Sequence, residues 1–394
     1  MSAEPLIERG TPAYRRACLA LVVASLVIFA NLYAIHPLLP LIAKQFQVST
    51  LQAGNAFTIT SLTLGLSLLV HGPVSDAIGR RAPLLVGLGV TALLTFSMAF
   101  TTHFSTLVWL RAALGIALGV LPAVAIAYLG DTMTRTALVG AVGLYIGGNT
   151  LGGAGGRLVG GFIAEHSDLQ TVFLSLGVLS LSGLAVVARL LPPATGFVSR
   201  PLSLGGSLKG FVAHLTNPAL LPAFAVGGLN FMIFINLYTY LTFRLSDGPW
   251  QLGAGSLGLL FLTYLAGTVS ATFSGRVPFN RALHGMMTGV ALLIFGTLLL
   301  LSDRLWLIIL ALLCNAFGFF LTHSLANTWV NQQAKFGKAS ASSLYSVFYY
   351  MGAAAGVYYL GYFWETASWH AVVIASLFVL FLNAGLIRTL YRHL

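Results

Sequence analysis

Two guanidinium side chains, Arg111 and Arg157, sit inside long apolar runs of this sequence. A guanidinium is a permanent planar cation whose forked donors match carboxylates, phosphates and hydroxyl-rich groups. The nine acids are Glu4, Glu8, Asp76, Asp131, Glu165, Asp168, Asp247, Asp303 and Glu365, and none falls at the centre of an apolar run. Neither arginine therefore has an obvious counter-ion. Both lie off-centre, roughly 9–10 Å from the midpoint of their runs at 1.5 Å per helical residue. A cation at that depth must face water or a polar partner, or snorkel to the surface. Amides, phenols and imidazoles gather in similar runs: Asn31, Tyr33 and His36; Asn149; Asn230, Asn236 and Tyr240; and Tyr345 and Tyr349. Asn315, Phe319, His323 and Asn327 recur at i+4, which on a helix makes one stripe. Such groups among aromatic rings suit stacking and hydrogen bonding to organic molecules. Singly, each also serves as glue between helices.

The elements that hold these residues belong in a membrane. The chain is 57% hydrophobic and only 7% charged, against about 25% charged in soluble domains. A span needs about 20 apolar residues. Twelve stretches qualify, near 17–38, 53–71, 83–101, 105–128, 137–162, 169–191, 218–243, 254–275, 282–301, 305–329, 340–363 and 370–389. The first run is too long for a cleaved signal. The longest connection, 192–217, divides the chain into halves at 1–191 and 218–394. In it Leu204, Leu208, Phe211 and Leu215 recur at helical spacing, predicting a short amphipathic helix on the membrane surface. With the N-terminus inside, fifteen Lys and Arg fall in inner segments and three in outer ones, which predicts cytoplasmic termini. The net charge of +11 is spread thinly, so it does not indicate nucleic acid. Cys18 and Cys314 lie in apolar runs, and the reading gives them neither a disulfide nor a metal.

Three motifs carry a resemblance. GPVSDAIGRR, residues 72–81, spaces Gly72, Asp76, Gly79, Arg80 and Arg81 as G-x-x-x-D-x-x-G-R-R. In the fourth span Arg111 precedes Gly115 and Gly119, and GDTMTR supplies Asp131 and Arg135. The fifth span reads GLYIGGNTLGGAGGRLVGGF, with Gly143, Gly152, Gly156, Gly160 and Gly161 at the places of an exporter-type glycine motif and Arg157 in its proline place. The sequence resembles the major facilitator superfamily, and within it the twelve-helix drug/proton-antiporter-like branch. The resemblance implies an all-α membrane protein of twelve helices in two six-helix halves, with cargo near the midplane. It implies that Arg80 reaches Asp131, that Asp76 sits near Ser340–Ser343, and that the glycines pack the fifth helix across the two halves. In the second half, SGRVPFNRALHG, residues 274–285, is a degraded copy of the loop without its acid.

The implied activity is secondary active transport by a bacterial inner-membrane monomer, with a small molecule, protons and the bilayer as partners and no cofactor. The exporter motif points to proton-coupled efflux. The missing midplane acid argues against cationic cargo, leaving neutral or anionic, sugar-like or amphiphilic molecules. Proton carriers then reduce to His323, His36 or Glu165 at the outer rim. Uptake by a symporter or facilitator is the alternative on the same fold. A membrane receptor or enzyme is a third, although no HExxH, paired intramembrane acids or nucleophile elbow is present.

Overall fold

The computed structural model describes residues 6–199 and 204–393, the side chains of 204–209 and 339 excepted. Glu4, Arg200 and the side chains of Leu204, Leu208 and Lys209 thus lie outside the described residues. The described residues form helices joined by short connections. α1 (Pro12–Tyr33) and α2 (Leu39–Phe46) form the first span, joined by a 3-10 turn at His36–Leu38. Pro37 and Pro40 explain the break, because proline lacks the N–H that would continue the helix. α3 (Thr50–Ile78) begins at a capping box in which Ser49 and Gln52 exchange side-chain and backbone bonds. α4 (Arg81–Met98) is followed by α5 (Phe104–Leu118) and α6 (Val120–Thr132), the fourth span, interrupted at Gly119. α7 (Arg135–His166) and α8 (Leu169–Leu190) end the first half.

The linker contains α9 (Leu204–Leu215). Its Phe211 and Leu215 pack against the second half's core. The second half comprises α10 (Leu221–Ser246), α11 (Ala254–Leu259) running through a 3-10 turn into α12 (Tyr264–Ser274), α13 (Ala282–Leu299), α14 (Leu305–Gln333), α15 (Lys338–Ala367) and α16 (Trp369–Leu390). Eleven of the helical stretches are long and apolar enough to cross a membrane. The thirty-residue α15, interrupted by Ser, Gly and Tyr, completes twelve. The protein is an all-α membrane protein with two six-helix halves.

One end of the bundle carries Arg80 and Arg81 and is called the basic end here; the other is the far end. At the basic end Arg80 donates from Nε to Asp131 Oδ2 at 2.8 Å, donates to Ser75 Oγ at 2.7 Å and pairs with Asp76. Arg81 donates to the carbonyls of Leu191 and Ala188, at the end of α8. The cluster thus staples α3, α6 and α8, all in the first half. Asp76 binds Arg80, and Ser342, in the stretch expected near Asp76, donates to Asn331. The two loop-motif glycines differ in their places. Gly72 lies within α3, and the turn is at Gly79, with φ of +102°, where a side chain would be strained. Arg135 is exposed.

Several close approaches join the halves. A Cβ at Gly54 of α3 would lie 2.9 Å from Val357 of α15, and one at Gly65 would lie 2.7 Å from Tyr350 Cβ. A Cβ at Gly258 of α11 would lie 2.8 Å from the Arg157 carbonyl, and Gly161 abuts Ala254. Glu165, exposed at the far rim, reaches across to Gly253 and Gly255.

Candidate functional site

The α7 glycines set the depth of Arg157. Methyl groups at Gly148, Gly152 and Gly156 would fall 2.6–3.1 Å from backbone of Val22, Leu26 and Ala30 in α1. Gly160 faces Ala34. The expectation of packing across the halves is thus corrected: this stripe brings α7 onto α1 of its own half, and Gly161 alone of the motif meets the other half. Gly143 has nothing within 4 Å. Close packing on one face turns Arg157 inward, where it is 2% exposed.

Arg157 lies between the halves. Its Nη1 donates to the Gly153 carbonyl at 3.1 Å. Its central carbon lies 4.1 Å from the ring of Tyr33, 4.4 Å from Phe261 and 4.7 Å from Tyr264. Tyr33 comes from α1, whereas Phe261 and Tyr264 come from the eighth span in the other half. Among the described residues Arg157 forms no ion pair. Its Nε and Nη2 are buried without a hydrogen-bond partner. His36 is buried alongside, 4.1 Å from Phe57 and 5.7 Å from Phe261 by ring centroid, with Nδ1 3.3 Å from the Tyr33 carbonyl. His36 Nε2 and the Tyr264 hydroxyl are also buried and unpaired.

Arg111 is equally buried, but each of its nitrogens has a partner. It donates to the carbonyls of Ala56 at 2.8 Å, Asn31 at 3.0 Å and Leu32 at 3.3 Å. Asn31 and Leu32 belong to the last turn of α1, whose carbonyls carry the negative end of the helix dipole. Arg111 therefore ties α5 to α1 and α3, with every nitrogen already bonded to a carbonyl. Asn31 is likewise occupied: its Nδ2 donates to Val27 and Ser180, and its Oδ1 accepts from Thr95.

The second half shows the same division. Asn230 donates to the Phe319 carbonyl at 3.0 Å, Asn236 to Met232 and Ala353, and Tyr240 to Val357 at 2.5 Å. These fix α10 against α14 and α15, although both amide oxygens stay unpaired. Asn327 accepts from Asn331, towards the basic end. Asn149 of α7 is half-buried, with its Oδ1 unpaired. Phe319, His323, Tyr345 and Tyr349 do come together: His323 Nδ1 is 2.9 Å from the Tyr345 hydroxyl, and its ring lies 5.8 Å from Phe319 and 4.9 Å from Tyr349. A run of rings joins the two groups, since Tyr264 lies 5.0 Å from Phe234, which stacks on Phe319 at 3.9 Å.

Tyr264, Phe261 and Phe234 escaped the sequence reading. The signal available was depth: an intramembrane arginine without an acid needs rings or carbonyls at its own level in the facing half. At the far rim Arg244, paired with Asp303 at 2.6 Å and set near Trp250 and Trp369, was also missed.

Twelve membrane helices in two halves, closed over a buried polar set at one end, define a multi-pass secondary transporter. Residues 21–357 match the Major Facilitator Superfamily, and the chain belongs to it. It is 33% identical to the inner membrane transport protein YnfM of Escherichia coli, covering 98% of this chain and 93% of that one. It is 32% identical to the MFS-type transporter YybF of Bacillus subtilis, over 95% and 93%. Its fold is similar to that of the human organic anion transporter MFSD10 (TETRAN), with a TM-score of 0.74 at 18% identity, covering 95% of this chain and 99% of that one. It is also similar to an inward-facing, occupied bacterial homologue of the lysosomal transporter Spinster, with a TM-score of 0.72 at 13% identity and 98% coverage of both chains.

Proposed function

We propose that this chain exports small organic molecules, anionic in preference to neutral, from the bacterial cytoplasm across the inner membrane in exchange for protons. One observation carries the reading: Arg157 is buried between the halves with free donors and no counter-charge. An interior cation with unpaired donors and no counter-ion attracts an anion into its place. Cationic cargo would be repelled. We take both termini as cytoplasmic, so that the basic end would face inward and the far end, where the halves meet, outward. Cargo would then load from the cytoplasm and leave at the far end.

We assign proton carriage to His323, which is half-buried and held through Nδ1 by Tyr345. His323→Ala should transport with a flattened pH dependence; an unchanged profile sinks that assignment. The direction is tested by counterflow in proteoliposomes under pH gradients of both signs. Accumulation driven by a proton gradient opposite to cargo flow supports export. Accumulation with the proton gradient replaces it with uptake by symport, and indifference to the gradient with facilitated diffusion.

A further inference from the structure

The free donors of Arg157 are not scattered. Nη1 already donates to the Gly153 carbonyl, whereas Nε and Nη2 bond nothing. These two nitrogens form one edge of the guanidinium, with parallel N–H bonds lying in its plane. That edge matches the two oxygens of a carboxylate, bound side-on. Tyr33, Phe261 and Tyr264 surround the cation within 4.7 Å of its central carbon, so its hydrogen bonding to a ligand would have to run in the plane of the fork. The Tyr264 hydroxyl, buried and unpaired, is a further neutral donor on the same ring system. Nearby, His36 carries the Nδ1 proton if Tyr33's carbonyl is to be satisfied, which leaves a lone pair on Nε2.

Charge narrows the ligand further. Among the described residues of this site Arg157 is the one cation with wholly unpaired nitrogens, because each nitrogen of Arg111 already donates to a carbonyl. One positive charge balances one negative charge. A phosphate dianion would bring an unmatched charge into an aromatic surround, where burial of charge is most unfavourable.

We propose that Arg157, with Tyr264, is a receptor for a single planar carboxylate, so that the cargo is a monocarboxylic acid in its anionic form. This rests on the export reading above only for direction; the binding chemistry stands without it. The carboxylate occupies the Nε–Nη2 edge in the plane of the fork. The organic body lies along the rings that continue through Phe234 and Phe319 towards His323.

The test is ligand-dependent stabilisation of the purified full chain in nanodiscs near neutral pH. The probes are benzoate, its neutral isostere benzamide, and phenyl phosphate. Benzoate at about 10 mM should raise Tm, whereas benzamide and phenyl phosphate should not. Arg157→Gln should weaken benzoate at least about tenfold, Arg157→Lys about as much because lysine lacks the fork, and Tyr264→Phe a few-fold. Should Arg157→Gln fail to fold, Arg157→Lys and Tyr264→Phe carry the comparison, with ligand-free Tm as the control. Equal stabilisation by benzamide or phenyl phosphate, benzoate affinity unchanged in the Arg157 variants, or no response to benzoate would overturn the proposal. Flux measurements are separate: benzoate binding without outward transport defeats the export reading and leaves the carboxylate receptor intact.

Discussion

Two buried arginines of similar depth have opposite surroundings, and their substitution should separate them. Arg111 satisfies three carbonyls at the end of α1 and in α3. Removing it leaves those acceptors without their partner and a void between three helices. Each lost charged hydrogen bond is worth about 1.5–3 kcal/mol. Arg111→Gln should therefore lower Tm by several degrees and reduce the monodisperse fraction after extraction. Arg157 is different: up to three cation–π contacts, each worth about 0.5–2 kcal/mol, oppose a desolvation penalty of several kcal/mol. These terms nearly cancel. Arg157→Gln should move the ligand-free Tm by no more than the equivalent of about 1 kcal/mol, while abolishing transport. A collapse of Arg157→Gln comparable to that of Arg111→Gln would make both arginines structural. The sequence made both visible as intramembrane cations, but not the difference between them. That difference depends on which neighbours present a carbonyl and which a ring, and no spacing within one helix encodes it.

At the scale of elements, the glycines of α7 decide how closely it approaches α1. A methyl at Gly156 would fall 2.6 Å from the Ala30 Cα, whereas one at Gly143 meets nothing within 4 Å. Gly156→Ala should separate the two helices, reduce Tm and displace Arg157 from its rings. Gly143→Ala should be neutral or stabilising by up to about 1 kcal/mol, from helix propensity. Thermal denaturation of both variants in one detergent checks the contrast, and equal Tm values would remove the packing role of the stripe. The twelve spans, the loop glycine at Gly79 and the Arg80–Asp131 pair were legible because they depend on apolar length and local motif. The broken first span was signalled by Pro37 and Pro40. The partner of the glycine stripe was not legible, since small residues say that a backbone comes close without saying whose. Several amides with the right depth for cargo, Asn230 and Asn236 among them, bind neighbouring backbone instead. Depth is readable from sequence, but rotation about the helix axis is less so when every face is apolar.

The whole molecule must open at the far end for a cargo beside Arg157 to leave there, and its closure at that end depends on two seams. One runs between α7 and α11, where Gly161 meets Ala254 and Glu165 crosses to Gly253 and Gly255. The other runs between α3 and α15, where a Cβ at Gly54 would lie 2.9 Å from Val357 Cγ1. Phe261 and Tyr264 ride on the second half, so separating the first seam also strips two of the three rings from the guanidinium. A covalent bond across the second seam should therefore hold the carrier in the described state. Cysteines at 54 and 357 have the proximity a disulfide requires, with Cβ atoms needing to approach within about 4.5 Å. In a Cys18→Ser, Cys314→Ser background, Gly54→Cys with Val357→Cys should cross-link under mild oxidation, lose transport, and recover it on reduction. Either single cysteine should transport under both conditions. Cargo added from the basic side should still stabilise the cross-linked protein, since the site lies beneath the closed seam rather than beyond it. Undiminished transport by a fully cross-linked carrier would mean that the halves need not part along α3 and α15, and the alternating movement would have to be assigned elsewhere.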